Sequence, residues 1–309
     1  MGTVSGEDIT FGADATFLAP ASFLFKTALA ALSATKFVVA FVAGFGASGP
    51  GIARVGTVTG TAIAFGTEAQ FSASATSSMD IGATGAGGFV VAYGTEAKVG
   101  TAPGTDITYG AAAVGGAPAT MSVAVLSATM FVVAYRDNTD SGHGTAKVGT
   151  VSGTDITFGV ETEFLSANAS AYAHATALSA AKFVVAYPSA AVNHGAVRIG
   201  TVSGSDITFG AESLFLTPGT STLDVSVAFM SPTAFAVSYE DAGSTVAAFS
   251  KVGTVSGTDA TFGSAAEFRA SGATGSPQAT AGMSASSFVV VYRDGNNLNH
   301  ATAKVGNNI

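Results

Sequence analysis

The sequence predicts an all-β protein assembled from six similar antiparallel units, and two observations support this prediction. The first is a short phrase, "VGTVSG" or a close variant, which returns at Val55, Val99, Val148, Ile199 and Val252, with partial copies at Met1 and Val305. Successive copies start 54, 44, 49, 51, 53 and 53 residues apart. The second is the sequence between the copies, which consists of strand-length runs rich in β-branched and aromatic residues. This spacing is typical of a repeat architecture.

Each unit is predicted to contain four strands, which we name A to D in chain order. In the fourth unit, strand A is "ATALSA" (175–180) and strand B is "KFVVAY" (182–187). A variable polar loop follows, then strand C, "HGAVRIGTVSG" (194–204), and strand D, "DITFGAESLF" (206–215). The small side chains of strand A suit an innermost position, where neighbouring units crowd a central axis.

Strands C and D are predicted to form a hairpin around a two-residue Gly-Ser or Gly-Thr loop. In the third unit this loop is 153–154, which predicts that Val151 faces Ile156 and that Gly149 faces Phe158. The repeated glycine would then make room for the repeated phenylalanine on the neighbouring strand.

Four antiparallel strands in such a unit are typical of a β-propeller blade, with a solenoid as the alternative. A closed ring leaves fewer exposed strand edges than a solenoid. Segment 8–17 has a strand D sequence with no A, B or C before it, and segment 279–309 has A, B and C with no D after it. We therefore expect a single six-bladed domain, in which the N-terminal strand completes the last blade. The expected blades are 25–71, 77–115, 120–164, 170–215, 221–268, and 276–309 with 8–17.

Composition excludes several classes of function. The 309 residues include 12 basic and 20 acidic side chains, a net charge of −8, so a basic nucleic-acid surface is not expected. The chain has no cysteine, which excludes disulfides and thiolate metal sites. The most apolar stretch, which starts at Phe37, is shorter than the ~18–20 residues of a membrane span. We therefore expect neither nucleic-acid partners nor membrane insertion.

The repeated strings "FVVAYRD" and "GTAKVGTVSGTDITFG" resemble propeller-type repeats of uncharacterised surface and tail-associated proteins of marine phages and bacteria. The resemblance covers essentially the whole chain. It implies a propeller fold and a place on a cell surface or a virus particle. Better-known propeller signatures, namely the Trp-Asp blade ending, the kelch glycine pair and the sialidase Asp box, are missing, so no catalytic residue is carried over.

Function is expected where the blades differ, because variable loops on a rigid scaffold usually carry binding. The B–C loops and the D–A crossings vary, and strand alternation brings both sets to one face of the ring. The candidate ligand-binding residues on this face are Arg136, Asp137, Asp140, His143, His194, Glu240, Asp241, Arg293, Asp294 and His300. As loop residues, the acidic ones are expected to be exposed and solvated.

No metal or cofactor is predicted. His143, His194 and His300 occupy equivalent positions in three different blades, too far apart around a ring for one tetrahedral site. A capping or ligand-contact role in each blade is the preferred interpretation. The loop "DNTDSG" (137–142) resembles an oxygen-rich calcium loop, but Thr139 and Ser141 occupy the intermediate ligand positions.

Half of the basic residues occupy one repeat position, just before "VGT": Arg54, Lys98, Lys147, Arg198, Lys251 and Lys304. One interpretation is a ring that grips an anionic ligand. The favoured interpretation is structural, in which each charge lies on an outer strand over an aromatic neighbour and discourages edge pairing.

Three functions are compatible with these features. The leading hypothesis is a non-enzymatic binding or structural module, with a glycan or another surface or particle protein as its partner. For a glycan, Phe45 and Tyr172 are the aromatic residues near the variable segments. The second is a glycoside hydrolase or lyase that uses loop carboxylates near the axial channel. The third is a pure assembly scaffold.

Overall fold

The computed structural model describes residues 2–5, 8–18, 24–43, 49–73, 78–115, 118–166, 173–189, 194–217, 222–241, 247–270, 278–294 and 300–307. All regular structure in these residues is β-strand. Six small antiparallel sheets follow one another in a ring, which confirms the prediction of a six-bladed β-propeller. The described residues contain no helix that could cross a membrane.

The first half of the ring begins with a hairpin of β1 (Gly2–Ser5) and β2 (Asp8–Phe11). Blade 1 contains β3 (Leu24–Ser33), β4 (Lys36–Ala43), β5 (Gly51–Thr59), β6 (Ala62–Phe65) and β7 (Ala69–Ser72). Blade 2 contains β8 (Met79–Gly85), β9 (Gly88–Tyr93), β10 (Glu96–Thr101), β11 (Thr108–Tyr109) and β12 (Ala113–Val114). Blade 3 contains β13 (Pro118–Ser127), β14 (Met130–Asp137), β15 (His143–Ser152), β16 (Asp155–Phe158) and β17 (Thr162–Leu165).

The second half repeats this order. Blade 4 contains β18 (His174–Ser179), β19 (Lys182–Ser189), β20 (His194–Ser203), β21 (Asp206–Phe209) and β22 (Ser213–Leu216). Blade 5 contains β23 (Thr222–Ser231), β24 (Ala234–Asp241), β25 (Ala247–Ser256), β26 (Asp259–Phe262) and β27 (Ala266–Arg269). Blade 6 contains β28 (Gln278–Ser284), β29 (Ser287–Asp294) and β30 (His300–Asn307).

Strands A to D pair in chain order within blades 1 to 5, from the axis to the rim, and the sheet of blade 6 contains strands A to C. Strand D, which the sequence suggests is continuous, is divided in blades 1 to 5. Its two short halves, such as β16 and β17, both pair with the same strand C. The division lets the second half lie beside the neighbouring blade.

The C–D hairpin has the predicted register. In blade 3, Val151 pairs with Ile156 and Gly149 pairs with Phe158, and the ladder ends at a two-residue loop. Gly153 opens this loop with φ +64, a conformation that glycine adopts without strain. The repeated Gly-Ser and Gly-Thr steps are therefore requirements of the turn.

The predicted role of Gly149 is wrong in one respect. A Cβ at this position would overlap the ring of Phe131, which lies opposite it on strand B, and not that of Phe158. The glycine makes room for the fully buried phenylalanine of "FVVAY" because that ring fills the blade interior.

Aromatic pairs join neighbouring blades at the rim. Each pair brings a phenylalanine from the second half of strand D against the strand B tyrosine of the next blade. The ring centroids are 5.0 Å apart in Phe71–Tyr93, 5.2 Å in Phe164–Tyr187, 5.0 Å in Phe215–Tyr239 and 5.1 Å in Phe268–Tyr292. These contacts make the repeated aromatics packing residues.

The repeated basic residues also join blades, which supports their structural interpretation. Five of the six donate to a backbone carbonyl at the end of the preceding blade's strand D. The pairs are Arg54 to Phe17 at 2.8 Å, Lys98 to Phe71 at 2.8 Å, Lys147 to Gly115 at 3.1 Å, Lys251 to Phe215 at 2.7 Å and Lys304 to Phe268 at 2.7 Å. We call these contacts the rim clamps.

The N-terminal segment packs against blade 1 as strand D of the other blades packs against the next blade, whereas β2 pairs with β1 and the sheet of β28, β29 and β30 has three strands. The ring of Phe17 lies 5.3 Å from that of Phe41 in blade 1, which matches the other seams. Arg54 completes the rim clamp at the same seam. A Cβ on Gly12 would lie 2.5 Å from the carbonyl oxygen of Thr61, a close approach that recurs between strand D and the next blade elsewhere. These contacts agree with the predicted position of the segment at the seam with blade 1, but among the described strands β2 does not pair with β30 to complete the last blade.

Candidate functional site

The inner strands of all six blades surround an axial cavity of about 410 Å³. Every blade contributes to the lining, and examples from blades 1 to 6 in turn are Leu29, Asp80, Val123, His174, Phe229 and Gly282. Strand A consists mostly of small residues, so the inner strands leave space on the axis. This volume lies within the ~300–1,000 Å³ that small-molecule sites usually offer.

A repeated hydrogen bond orders the inner strands around this cavity. A side chain of one blade accepts from a backbone N–H of the next: Asp80 from Val123 at 2.7 Å, Ser122 from Ala175 at 3.1 Å, His174 from Val227 at 3.2 Å and Ser226 from Thr280 at 3.0 Å. Blades 1 and 6 have Ala28 and Ala279 at the equivalent position. We call the four side chains the axial acceptors.

His174 is held as a neutral ring. Its Nδ1 accepts from the backbone of Val227, which leaves the proton of the neutral imidazole on Nε2. Burial lowers the pKa of His174, although the nearby charge of Asp80 acts in the opposite direction. The cavity therefore has a carboxylate acceptor and an imidazole that serves as a hydrogen-bond donor at neutral pH.

The cavity also presents an aromatic ring. Phe229 is 42% exposed, and its equivalents in the other blades are small or aliphatic: Ala31, Ala83, Val125, Ala177 and Gly282. It lies three residues further along its strand than Ser226, which is level with Asp80 and His174. At about 3.3 Å per residue, the ring is roughly 10 Å nearer the A–B turns than the polar groups. The cavity therefore has a polar end and an apolar end.

A further acidic residue, Asp224, lies on the opposite side of these polar groups from Phe229. Asp224 precedes Ser226 by two residues, towards the face of the B–C loops, and its Oδ2 accepts from the backbone N–H of Gln278 at 3.4 Å. Burial raises the pKa of Asp224 to about 6, and the charge of Glu240 adds to the rise. This carboxyl therefore titrates closer to neutrality than an exposed aspartate.

The structure places Asp137 in a structural role. It is 4% exposed, and its Oδ1 accepts from the backbone N–H of Thr139 at 2.8 Å and from the hydroxyl at 2.7 Å. Arg136 donates to Asn138 at 3.1 Å in the same loop. The expectation of an exposed, solvated carboxylate is wrong for Asp137, because the loop folds over it and uses it as a cap.

Glu240 is also buried, contrary to expectation. It is 2% exposed and forms an ion pair with Arg269 of the same blade, with Nη2 and Oε1 2.5 Å apart. Its neighbour Asp241 is only partly exposed at the end of β24. Arg293 is exposed and Asp294 partly exposed on β29.

The three equivalent histidines occupy three different environments. His143 lies near Asp140 and Glu163, with its Nδ1 3.4 Å and 3.2 Å from their respective oxygens. His194 is 6% exposed, with its Nε2 3.1 Å from Glu212 Oε1. His300 is exposed at the start of β30. The ring does not gather them, as the sequence argument anticipates.

Sequence reasoning missed the cavity residues Asp80, His174 and Phe229. Each interrupts a strand A that otherwise consists of small or aliphatic residues, and this was the available signal. Phe45 and Tyr172, the expected aromatic candidates, lie outside the described residues. A role in ligand binding for the loop residues stays a prediction.

The comparisons with known proteins concern the fold. No family model and no curated protein matches the chain. A mutant of AofleA from Arthrobotrys oligospora is similar in structure, with 10% identity, a TM-score of 0.57, and 92% of this chain and 83% of that chain covered. The Hadza microbial sialidase Hz136 has 8% identity and a TM-score of 0.54 over 91% of this chain and 65% of its own.

A third similar structure is Sqt1 from Chaetomium thermophilum, bound to the N-terminus of ribosomal protein L10. It has 10% identity and a TM-score of 0.50, with 90% of this chain and 74% of that chain covered. At such identities, the likeness shows that the chain shares the propeller fold.

Proposed function

We propose that the protein is a non-enzymatic binding module and that its axial cavity binds a short saccharide. The observation that carries this proposal is the exposed ring of Phe229, which lines the same cavity as Asp80 and His174. An aromatic face and hydrogen-bonding groups together suit a ligand that has both a C–H face and hydroxyl groups.

The chemistry of the lining matches a sugar group by group. Asp80 accepts hydrogen bonds, His174 Nε2–H donates them, and the hydroxyls of Thr176 and Thr280 can do both. The ring of Phe229 can stack on the apolar face of a pyranose. A neutral imidazole avoids the cost of a buried cation beside an uncharged ligand.

The similar folds support this proposal in general terms only. One of the similar proteins is named a sialidase, which agrees with a glycan-related role, and Sqt1 binds a peptide. A peptide in the axial cavity is therefore the main competing occupant. The place on a cell or particle surface, implied by the resemblance of the repeats, stays a prediction.

The test is a glycan array, followed by titration calorimetry with the best saccharide. Phe229→Ala is expected to weaken binding about tenfold, or about 1.4 kcal/mol, because the stacking surface is lost. Thr176→Val removes one hydroxyl from the cavity. Val160→Ala is the matched control, since Val160 is an apolar residue, 72% exposed, in the connection between β16 and β17.

The outcomes separate the possible occupants. Saccharide binding that Phe229→Ala weakens and Val160→Ala does not would support the cavity. Saccharide binding that is unchanged in Phe229→Ala would place the sugar elsewhere and contradict the proposal. If the screen yields only peptides, and these peptides compete with one another for the axial cavity, a protein partner is favoured instead.

A further inference from the structure

Three potential metal ligands meet at the outer part of blade 3, away from the axial cavity. The Nδ1 atom of His143 lies 3.2 Å from Glu163 Oε1 and 3.4 Å from Asp140 Oδ2. All three ligand atoms lie within 4.8 Å of one another. His143 Nδ1 is buried and makes no hydrogen bond, although both carboxylates are close.

The B–C loop holds Asp140 and His143 in this arrangement. The backbone N–H of His143 donates to the carbonyl of Asp140 at 2.9 Å, and that of Gly142 donates to the carbonyl of Asp137 at 2.9 Å. Ser141 and Gly142 turn the chain with φ of +51 and +77. The loop is therefore formed by local backbone bonds, without help from the side chains of the three candidate ligands.

Strand pairing supplies the third ligand. Glu163 lies on β17 opposite Thr145, and His143 is two residues before Thr145 on β15. Alternate residues of a strand share a face, so His143 and Glu163 project on the same side of the sheet. The side chains of Asp140 and Glu163 are 59% and 44% exposed, which leaves them free to rotate towards a shared ion.

We infer that Asp140, His143 and Glu163 form a binding site for a zinc ion. Zinc takes histidine nitrogen and carboxylate oxygen at about 2.0–2.2 Å, so two ligands of a tetrahedral ion lie about 3.4 Å apart. The two distances from His143 already match this separation. Closing the gap between Asp140 and Glu163 requires only a rotation of exposed side chains.

The ligand set favours zinc over the common hard cations. Calcium and magnesium take oxygen ligands almost exclusively, and an imidazole at the centre of the cluster does not suit them. Two carboxylates and a neutral imidazole balance the charge of a divalent ion. Three protein ligands leave one coordination position for water or for an oxygen of another molecule.

Other blades contain parts of this cluster. Blade 4 has His194 at the position of His143, but Leu214 replaces Glu163. Blade 5 has Glu267 at the position of Glu163, but Ala247 replaces His143. Within the described part of the chain, blade 3 alone brings three such ligands together. The repeat thus provides matched controls.

The experiment is a titration of the full-length, tag-free protein with Zn²⁺, monitored by calorimetry, and with Co²⁺, monitored by visible absorption. The wild type is compared with Glu163→Leu, which copies blade 4, with Asp140→Asn and with His143→Gln. Glu267→Leu makes the same change at a position without a histidine. Circular dichroism checks that each variant is folded.

We expect the wild type and Glu267→Leu to bind one Zn²⁺ and to show the absorption of tetrahedral Co²⁺. Glu163→Leu and His143→Gln should weaken Zn²⁺ binding at least tenfold, and Asp140→Asn should weaken it as well. Absence of stoichiometric binding by the wild type would overturn the inference and leave an ordinary ion-paired histidine. Binding that survives both Glu163→Leu and His143→Gln would place the ion elsewhere and would also overturn it.

Discussion

Glu240 and Arg269 form an ion pair that is almost completely withdrawn from solvent inside blade 5. Their side chains are 3% and 1% exposed, and Oε1 and Nη2 lie 2.5 Å apart. The residues at the position of Arg269 in blades 3 and 4 are Leu165 and Leu216. The pair is therefore a peculiarity of one blade and not a requirement of the fold.

Glu240→Ala should destabilise the protein by about 3–5 kcal/mol, because it leaves the charge of Arg269 buried without its partner. The double variant Glu240→Leu/Arg269→Leu should recover most of the loss, since two leucines need no charge compensation. Chemical denaturation measures both values. A cost below about 1 kcal/mol for the single variant would show that water reaches the pair.

Asp224 should make stability depend on pH. Its carboxyl has a pKa of about 6 in the folded protein against a usual value of 3.8, so the unfolded chain loses the proton first. The contribution of Asp224 to stability therefore falls as pH rises from about 4 to about 6 and is constant above that.

Asp224→Asn should consequently be more stable than the wild type at pH 7 by roughly 1–3 kcal/mol, with a much smaller difference at pH 4. Free energies of unfolding at the two pH values test this. Asp155→Asn, in the exposed turn of blade 3, controls for the loss of one negative charge. A difference between Asp224→Asn and wild type that is the same at both pH values would contradict the prediction.

The seam between blades 2 and 3 lacks the rim phenylalanine of its neighbours. Gly115 occupies that position and lines a gap with Met121, Tyr135 and Phe158. Thr95 stands where other blades have a glycine, such as Gly144, whose Cβ would overlap the phenylalanine ring. The glycine and the ring occur together in blades 1, 3 and 4, whereas blade 5 accommodates Phe268 beside Ala248.

Restoring both residues should strengthen this seam. Thr95→Gly/Gly115→Phe is expected to raise the free energy of unfolding by about 1–2 kcal/mol, as the new ring packs on Tyr135 and Phe158. Gly115→Phe alone should give less, because the ring meets Thr95. Equal effects of the single and double variants in thermal melts would show that the two positions are independent.

The N-terminal segment should be part of the folded ring. Deleting residues 1–17 removes the partner of Arg54 and Phe41 and opens the seam between the last blade and blade 1, so the truncated protein should melt at a lower temperature and aggregate. Light scattering and calorimetry measure these changes. A truncated chain that stays monomeric with an unchanged melting temperature would show that the segment is dispensable.

The fold could be predicted because its information is repeated. Six copies of one hairpin specify the register, the turn and the number of blades, and the observed pairing of Gly149 with Phe158 follows directly from the two-residue loop. The ring for which Gly149 makes room is that of Phe131 and not that of Phe158, since sequence spacing within a hairpin does not reveal which ring fills the blade interior.

The candidate site was harder to predict because it depends on single residues. Asp137 and Glu240 look like solvated loop acids until Thr139 and Arg269 are found against them. Phe229 resembles any apolar strand residue, and only closure of the ring shows that it faces the axial cavity. Glu163 is twenty positions from His143, and the pairing of β17 with β15 brings them together.

The axial acceptors run in one direction around the ring, and their absence from two blades has a dynamic consequence. Ala28 and Ala279 have no side-chain acceptor, so the two seams that flank blade 1 lack this bond across the inner strands. Leu29 of β3 is 62% exposed, whereas its equivalent Val227 in blade 5 is 1% exposed. Local opening of the ring should therefore occur first at blade 1. The amide hydrogens of β3 should exchange with solvent sooner than those of β23.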